Sequence, residues 1–196
     1  MATCRRILIK RLCKESISEL IRKEYPVGRE SVYNYPYREV FLDRMNNAFI
    51  VFDAYLEDWT ELDLDFNTSV EEHDYFLKSI SEDYNTTVIM GYSQTTTGDA
   101  RFVVFENGQI LRSLYQKSYY DPHRIIMETN IGVKSKYEKD FEYPDLGENI
   151  QGYKSLDYYD DVQAMFEDYG YTGRQRQSCD EKYLHIEYLN QKVGNE

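Results

Sequence analysis

TTVIMGYSQTTTGDARFVVFENGQILRSLY, residues 86–115, holds three apolar, β-rich runs: Thr86–Tyr92, Arg101–Phe105 and Gln109–Leu114. Thr97-Gly98-Asp99 separates the first two, and Asn107-Gly108 separates the second two. An Asn-Gly pair between apolar runs is the strongest short-range hairpin signal, because both residues accept the positive φ of a tight turn. The stretch predicts a three-stranded antiparallel meander, and Arg124–Met127 offers a further edge.

Working outward, Thr68 or Ser69 followed by Glu71 and Glu72 starts a helix, since acids favour the positive end of the helix dipole. That helix runs to about Tyr84 with Val70, His73, Phe76, Leu77 and Ile80 inward. Lys14 to Glu24 is a second helix, with Ile17, Leu20 and Ile21 on one face, stopped before Pro26. Residues 5–12 read as a strand or a helix start. Tyr33–Tyr37 reads as a connector, and Arg38–Met45 and Ala48–Leu56 as strands joined around Asn46-Asn47. Leu62, Leu64 and Phe66 alternate with Asp63 and Asp65 in a half-buried extended segment. Residues 134–156 form a polar loop. Asp160 or Asp161 caps a helix with Val162, Met165 and Phe166 inward, ended by Gly170, and Tyr183–Leu189 is a last strand. Helices among mostly antiparallel strands give the α+β class, as a single domain over 1–196.

Composition bounds the function. The net charge is −12, from 35 acids against 23 bases. Such a chain repels a nucleic-acid backbone or an anionic membrane, so neither is the expected partner. The charge is uneven: residues 1–30 hold eight bases and four acids, which leaves −16 for the remainder. Asp53–Asn85 holds eleven acids and one lysine, and Tyr137–Asp168 ten acids and two lysines. Cys4, Cys13 and Cys179 are an odd number without a CxxC pair, and no run of eighteen apolar residues occurs. The expected compartment is the cytoplasm.

No residue string specifies a reaction, and the chain reads as a non-enzyme with no cofactor. Asp63, Asp65 and Asn67 occupy the first ligand positions of a calcium loop that would close on Asp74. The sixth position, however, is Thr68 where the turn needs glycine, so a strand edge leading into an acid-capped helix is the preferred reading. His185 and Glu187 share one face of a strand but are two ligands without a third. His73 and His123 stand alone, and nothing ties the cysteines to a catalytic partner.

The remaining signal is tyrosine among acids. Seven tyrosines (137, 143, 153, 158, 159, 169 and 171) lie between Tyr137 and Tyr171. Tyrosine gives rigid, amphipathic contact area, and surrounding carboxylates steer a basic partner. The partner-binding residues expected are Tyr153, Asp157, Tyr158, Tyr159, Asp160, Asp161, Glu167 and Asp168, followed by Asp58, Trp59 and Glu61 around the sole tryptophan. The competing reading makes the tyrosines core edges and the acids mere solubilisers.

The stretch FLKSISEDYNTTVIMGYSQTTTGDARFVVFENGQILRSLY, Phe76–Tyr115, resembles a pattern in small bacterial immunity-type proteins: a helix, then a meander ending in "ENG" and a polar strand. The resemblance implies a cytosolic neutraliser of a toxin encoded beside it, and it carries no functional residues over. Alternatives are a DNA-mimicking inhibitor of a nucleic-acid enzyme and a metal protein or enzyme using Asp63–Asp74.

Overall fold

A computed structural model of the chain describes residues 3–34, 48–56, 58–63, 70–94, 96–120, 123–140, 142–151, 153–171 and 182–189. The strands are β1 (Thr3–Lys10), β2 (Val27–Asn34), β3 (Ala48–Leu56), β4 (Trp59–Asp63), β5 (Thr87–Gln94), β6 (Asp99–Glu106), β7 (Gln109–Tyr120), β8 (His123–Gly132) and β9 (Lys182–Tyr188). The helices are α1 (Lys14–Glu24), α2 (Val70–Asp83) and α3 (Gln163–Asp168), the last entered through a π turn at Tyr158–Val162. The nine strands form one sheet in the order β2-β9-β3-β4-β1-β5-β6-β7-β8, with every neighbouring pair antiparallel. Because β4 and β5 both oppose β1, they run parallel to each other, and α2 is their crossover. This is the α+β, mainly antiparallel architecture that the sequence predicts.

The expected meander is β5–β6–β7, and Arg124–Met127 belongs to the longer strand β8. At the β6–β7 turn, Asn107 has φ 51° and Gly108 φ 75°, the pair of left-handed residues of a type I′ hairpin. Of residues 5–12, 5–10 resolve as strand, since β1 sits between β4 and β5 and bonds to both, and the chain turns at Arg11, φ 53°. α1 ends where expected: Tyr25, held extended by Pro26, stops it at Glu24. One strand was not expected. VGRESVYN is too polar to signal β2, because an edge strand needs little apolar surface. The expected strand over 38–45, the Asn46-Asn47 turn, Leu64 and Phe66 lie outside the described residues.

The sheet is covered on both faces. Ile7, Ile9, Val88, Met90, Val103 and Phe105 pack under α1 and α2 with Ile17, Leu20, Ile21, Phe76, Leu77 and Ile80. The alternate residues Leu8, Ile89, Phe102 and Val104 pack on the opposite face with Val162, Met165 and Phe166. Two-sided burial explains why these central strands read as unbroken apolar runs rather than as alternation. Each fully buried Ile, Leu, Val or Phe contributes about 1.5–3 kcal/mol relative to exposure. No helix among the described residues is long and apolar enough to cross a membrane.

Candidate functional site

The segment from Lys134 to Tyr171 is mostly irregular, yet it is tied to the sheet at each step. Its first anchor is Arg112, an inward residue on β7. The Arg112 Nε donates to Glu138 Oε1 at 2.9 Å and Oε2 at 3.1 Å, and its Nη2 donates to Glu138 and to Asn130 Oδ1. Glu138 also accepts from the Ser135 amide at 2.9 Å. With side chains 1% and 0% exposed, the pair is fully desolvated and fully hydrogen-bonded. Further on, Asn130 Nδ2 donates to Pro144 O at 2.9 Å. Residues 147–150 then pair along the outer edge of β8: Met127 N donates to Glu148 O and Ile150 N to Ile125 O, both at 3.0 Å. On β7, Gln116 Oε1 accepts from the Leu156 amide at 2.8 Å.

The helix that follows is capped by Asp157, whose Oδ1 accepts from the amides of Tyr159 at 2.8 Å and Asp160 at 3.2 Å. The expected cap was Asp160 or Asp161. The π turn moves it, because the Val162 amide reaches back to Asp157 O and swings Asp161 inward. Asp161 is 0% exposed and accepts from Tyr137 Oη at 2.7 Å, the Asp157 amide at 2.8 Å and Lys154 Nζ at 2.8 Å. Hydrogen bonding to Asp161 is the largest reason that the Lys154 ammonium titrates above its usual value. For Tyr137 the shift is also upward, set first by burial and then by Asp161. α3 packs directly on β5 at Gly91, where a Cβ would fall 2.7 Å from Phe166 Cζ; glycine is needed there for close approach.

What this scaffold presents outward is acidic. Between residues 140 and 168, Asp140, Glu142, Asp145, Glu148, Asp160, Glu167 and Asp168 are exposed. The one lysine in that range, Lys154, is turned onto the buried Asp161. Leu146 (66% exposed), Tyr159 (66%) and Tyr153 (45%) stand among the carboxylates. The Tyr153 hydroxyl is pushed up by hydrogen bonding to Glu148, then by the charges of Glu148, Asp145 and Glu142.

The expected binding residues therefore separate. Tyr153, Tyr159, Asp160, Glu167 and Asp168 share the exposed segment, whereas Asp157 serves as a cap and Asp161 as an interior hub. The side chain of Tyr158 lies outside the described residues. Trp59 is not a surface anchor: it is 2% exposed, buried beside Leu8, because the register Lys10↔Trp59 turns it inward. Asp58 occupies a tight turn at φ 71° with Arg11 3.6 Å away. Glu61 is half-buried, 3.6 Å from Arg6, whose guanidinium lies 5.3 Å from the Tyr171 ring centroid; that places Glu61 at the margin of the acidic segment.

The calcium-type ligands are drawn into other bonds. Asp63 accepts from Arg5 Nε at 3.0 Å, and Asp74 pairs with Arg101. Asp65 and Asn67 lie outside the described residues. Between the two arginines sits His73, 7% exposed, its ring pushed down to about 3 by burial and then by Arg5 and Arg101. His185 Nδ1 lies 3.6 Å from Glu187 Oε1, and the described residues contain no group of three ligands able to hold a metal ion.

Sequence reasoning missed the buried anchors. An arginine at an inward position of the ILRSLY run is a visible signal for a buried ion pair, but Glu138 lies 26 residues on and nothing local points to it. Compared with known protein families, curated proteins and solved structures, the chain matches none.

Proposed function

We propose that the chain is a protein-binding module that captures a basic partner protein on the acidic segment 140–168, and that it acts as an immunity protein neutralising a toxin. The observation that carries this reading is the seven exposed carboxylates with no exposed base between them, set around Leu146, Tyr153 and Tyr159. Carboxylates steer a cationic partner and set the association rate, while exposed apolar and aromatic side chains supply the contacts that hold it. A phosphate mimic gains nothing from an exposed leucine and two tyrosines, so a protein surface suits this face better than a nucleic-acid-binding groove.

The test uses the full chain and the basic protein encoded next to it. Binding is measured by titration at low and high salt, and neutralisation by survival of cells expressing the partner with and without this chain. The expected result is a complex whose association slows as salt rises and which protects the cells. Binding that ignores salt and charge reversal at Asp160, Glu167 and Asp168 sinks the reading. Loss of binding on adding DNA would assign the partner's nucleic-acid site as the target.

A further inference from the structure

α1 and α2 cover the sheet as far as β6 and the near part of β7, where Ser113 is buried; beyond them the same face is exposed at Ile110, Lys117, Arg124 and Ile131. Val103 and Phe105 belong to the core beneath the helices. Their partners one strand out are Ser113 and Ile110, and Ser113 pairs in turn with Ile131. Ile110 is 43% and Ile131 48% exposed, so β-branched side chains face water at the level of the core. Along the same face Arg101 pairs with Tyr115, Tyr115 with Thr129, and Tyr119 with Arg124.

The charge here differs from that of the rest of the chain. Lys117 and Arg124 are exposed and lie 5.8 and 5.9 Å from the Tyr119 ring centroid. Against them stand Glu128, which accepts from Tyr119 Oη at 2.6 Å, and Asp99, which accepts from the Ser118 amide at 2.6 Å. Two cations meet two carboxylates, so the face is balanced in a chain of net charge −12.

We propose that this open face of β7 and β8 docks a second copy of the same chain, face to face about a two-fold axis. Two copies of net charge −12 repel each other wherever acidic surfaces approach. A balanced face carrying exposed isoleucines is where that repulsion is least and burial most favourable. A two-fold contact is self-complementary, so the Lys117 and Arg124 side chains of each copy meet Asp99 and Glu128 of the other. Edge-to-edge pairing along β8 is interrupted, because residues 147–150 already pair with Ile125–Met127 on its outer edge. β7 spans twelve residues, roughly 40 Å, but α2 overlies part of it, so the open face is less than two strands wide. That area suits a reversible dimer rather than an obligate one.

Salt separates this contact from capture of a basic partner. Screening weakens attraction between opposite charges but relieves repulsion between two acidic copies. Sedimentation equilibrium of the full chain across concentration and salt tests the proposal. The expected result is a monomer–dimer equilibrium that tightens as salt rises. Ile131→Lys weakens it at least about tenfold, leaving the circular dichroism spectrum and binding to the basic partner unchanged. Lys117→Glu, also at an exposed position, gives a second reading of the same contact. A monomer at every concentration and salt overturns the proposal. So does an open-ended series of larger species, the mark of a head-to-tail contact, or a dimer indifferent to both substitutions.

Discussion

Arg112 and Glu138 form a complete ion pair inside the protein, one near the start of β7 and the other in a single 3-10 turn, with side chains 1% and 0% exposed. The pair is the first of the anchors that tie the acidic segment to the sheet. Removing one partner leaves the other charge buried and alone, so Glu138→Ala is expected to cost about 3–5 kcal/mol in urea unfolding. Replacing both with apolar residues, Arg112→Met with Glu138→Leu, is expected to cost much less than the sum of the single changes.

Asp160 and Asp161 are adjacent and opposite in role. Asp161→Ala leaves the Tyr137 hydroxyl and the Asp157 amide without their acceptor beside an interior gap, while Lys154, partly exposed, turns to water; a loss of about 1–3 kcal/mol is expected. Asp160→Ala touches an exposed side chain and should change stability by no more than about 0.5 kcal/mol. On the binding reading, Asp160→Lys with Glu167→Lys slows association with the basic partner, whereas Tyr159→Ala speeds dissociation. Stopped-flow kinetics separates the two effects.

Gly91→Ala tests how α3 is seated. The new methyl group meets Phe166 and Val162, so the helix must shift or the strand must bend. A loss of about 1–3 kcal/mol is expected from thermal unfolding, with faster hydrogen exchange in residues 163–168.

His73 gives the fold an acid dependence of known sign. Its ring stays neutral down to about pH 3 when folded, but takes a proton near the ordinary histidine value when the chain unfolds. Between those limits the unfolded state binds the extra proton, so the contribution of His73 is fully present above about pH 6.5. It is lost as pH falls towards the folded value, by at most about 1.4 kcal/mol per pH unit. Urea unfolding of the protein and of His73→Gln from pH 4 to 7 should show a shallower slope in the variant. Equal slopes would mean that His73 is exposed to solvent protons in the folded chain.

The meander and both long helices were legible because their signals are local: Asn107-Gly108 sets a turn, Pro26 ends α1, and the spacing of Phe76, Leu77 and Ile80 sets the face of α2. The acidic character of 140–168 was equally plain, since charge is a property of composition. What composition lacks is the sorting of like residues. Asp157, Asp160 and Asp161 are indistinguishable in sequence, and only the π turn decides that one caps, one faces water and one is interior. Trp59 was misplaced for a related reason, as its side is set by the pairing of β4 with β1, a contact between distant segments.

The place of β1 in the sheet bears on how the chain acquires its structure. Among the described residues four strands lie on either side of it, and the sheet's hydrogen-bonded connection between the two groups passes through β1. The group from β5 to β8 is built of consecutive hairpins, which close quickly. On the other side β3 and β4 pair directly, but β2 joins them only through β9, and Ile7 and Thr3 wait for Leu62 and Gln94. Contacts so distant in sequence put the slow step at the joining of two preformed halves. An unpaired β1 would leave each half with a raw edge, so the same strand that unites the sheet sets the interval during which the nascent molecule is most open to aggregation.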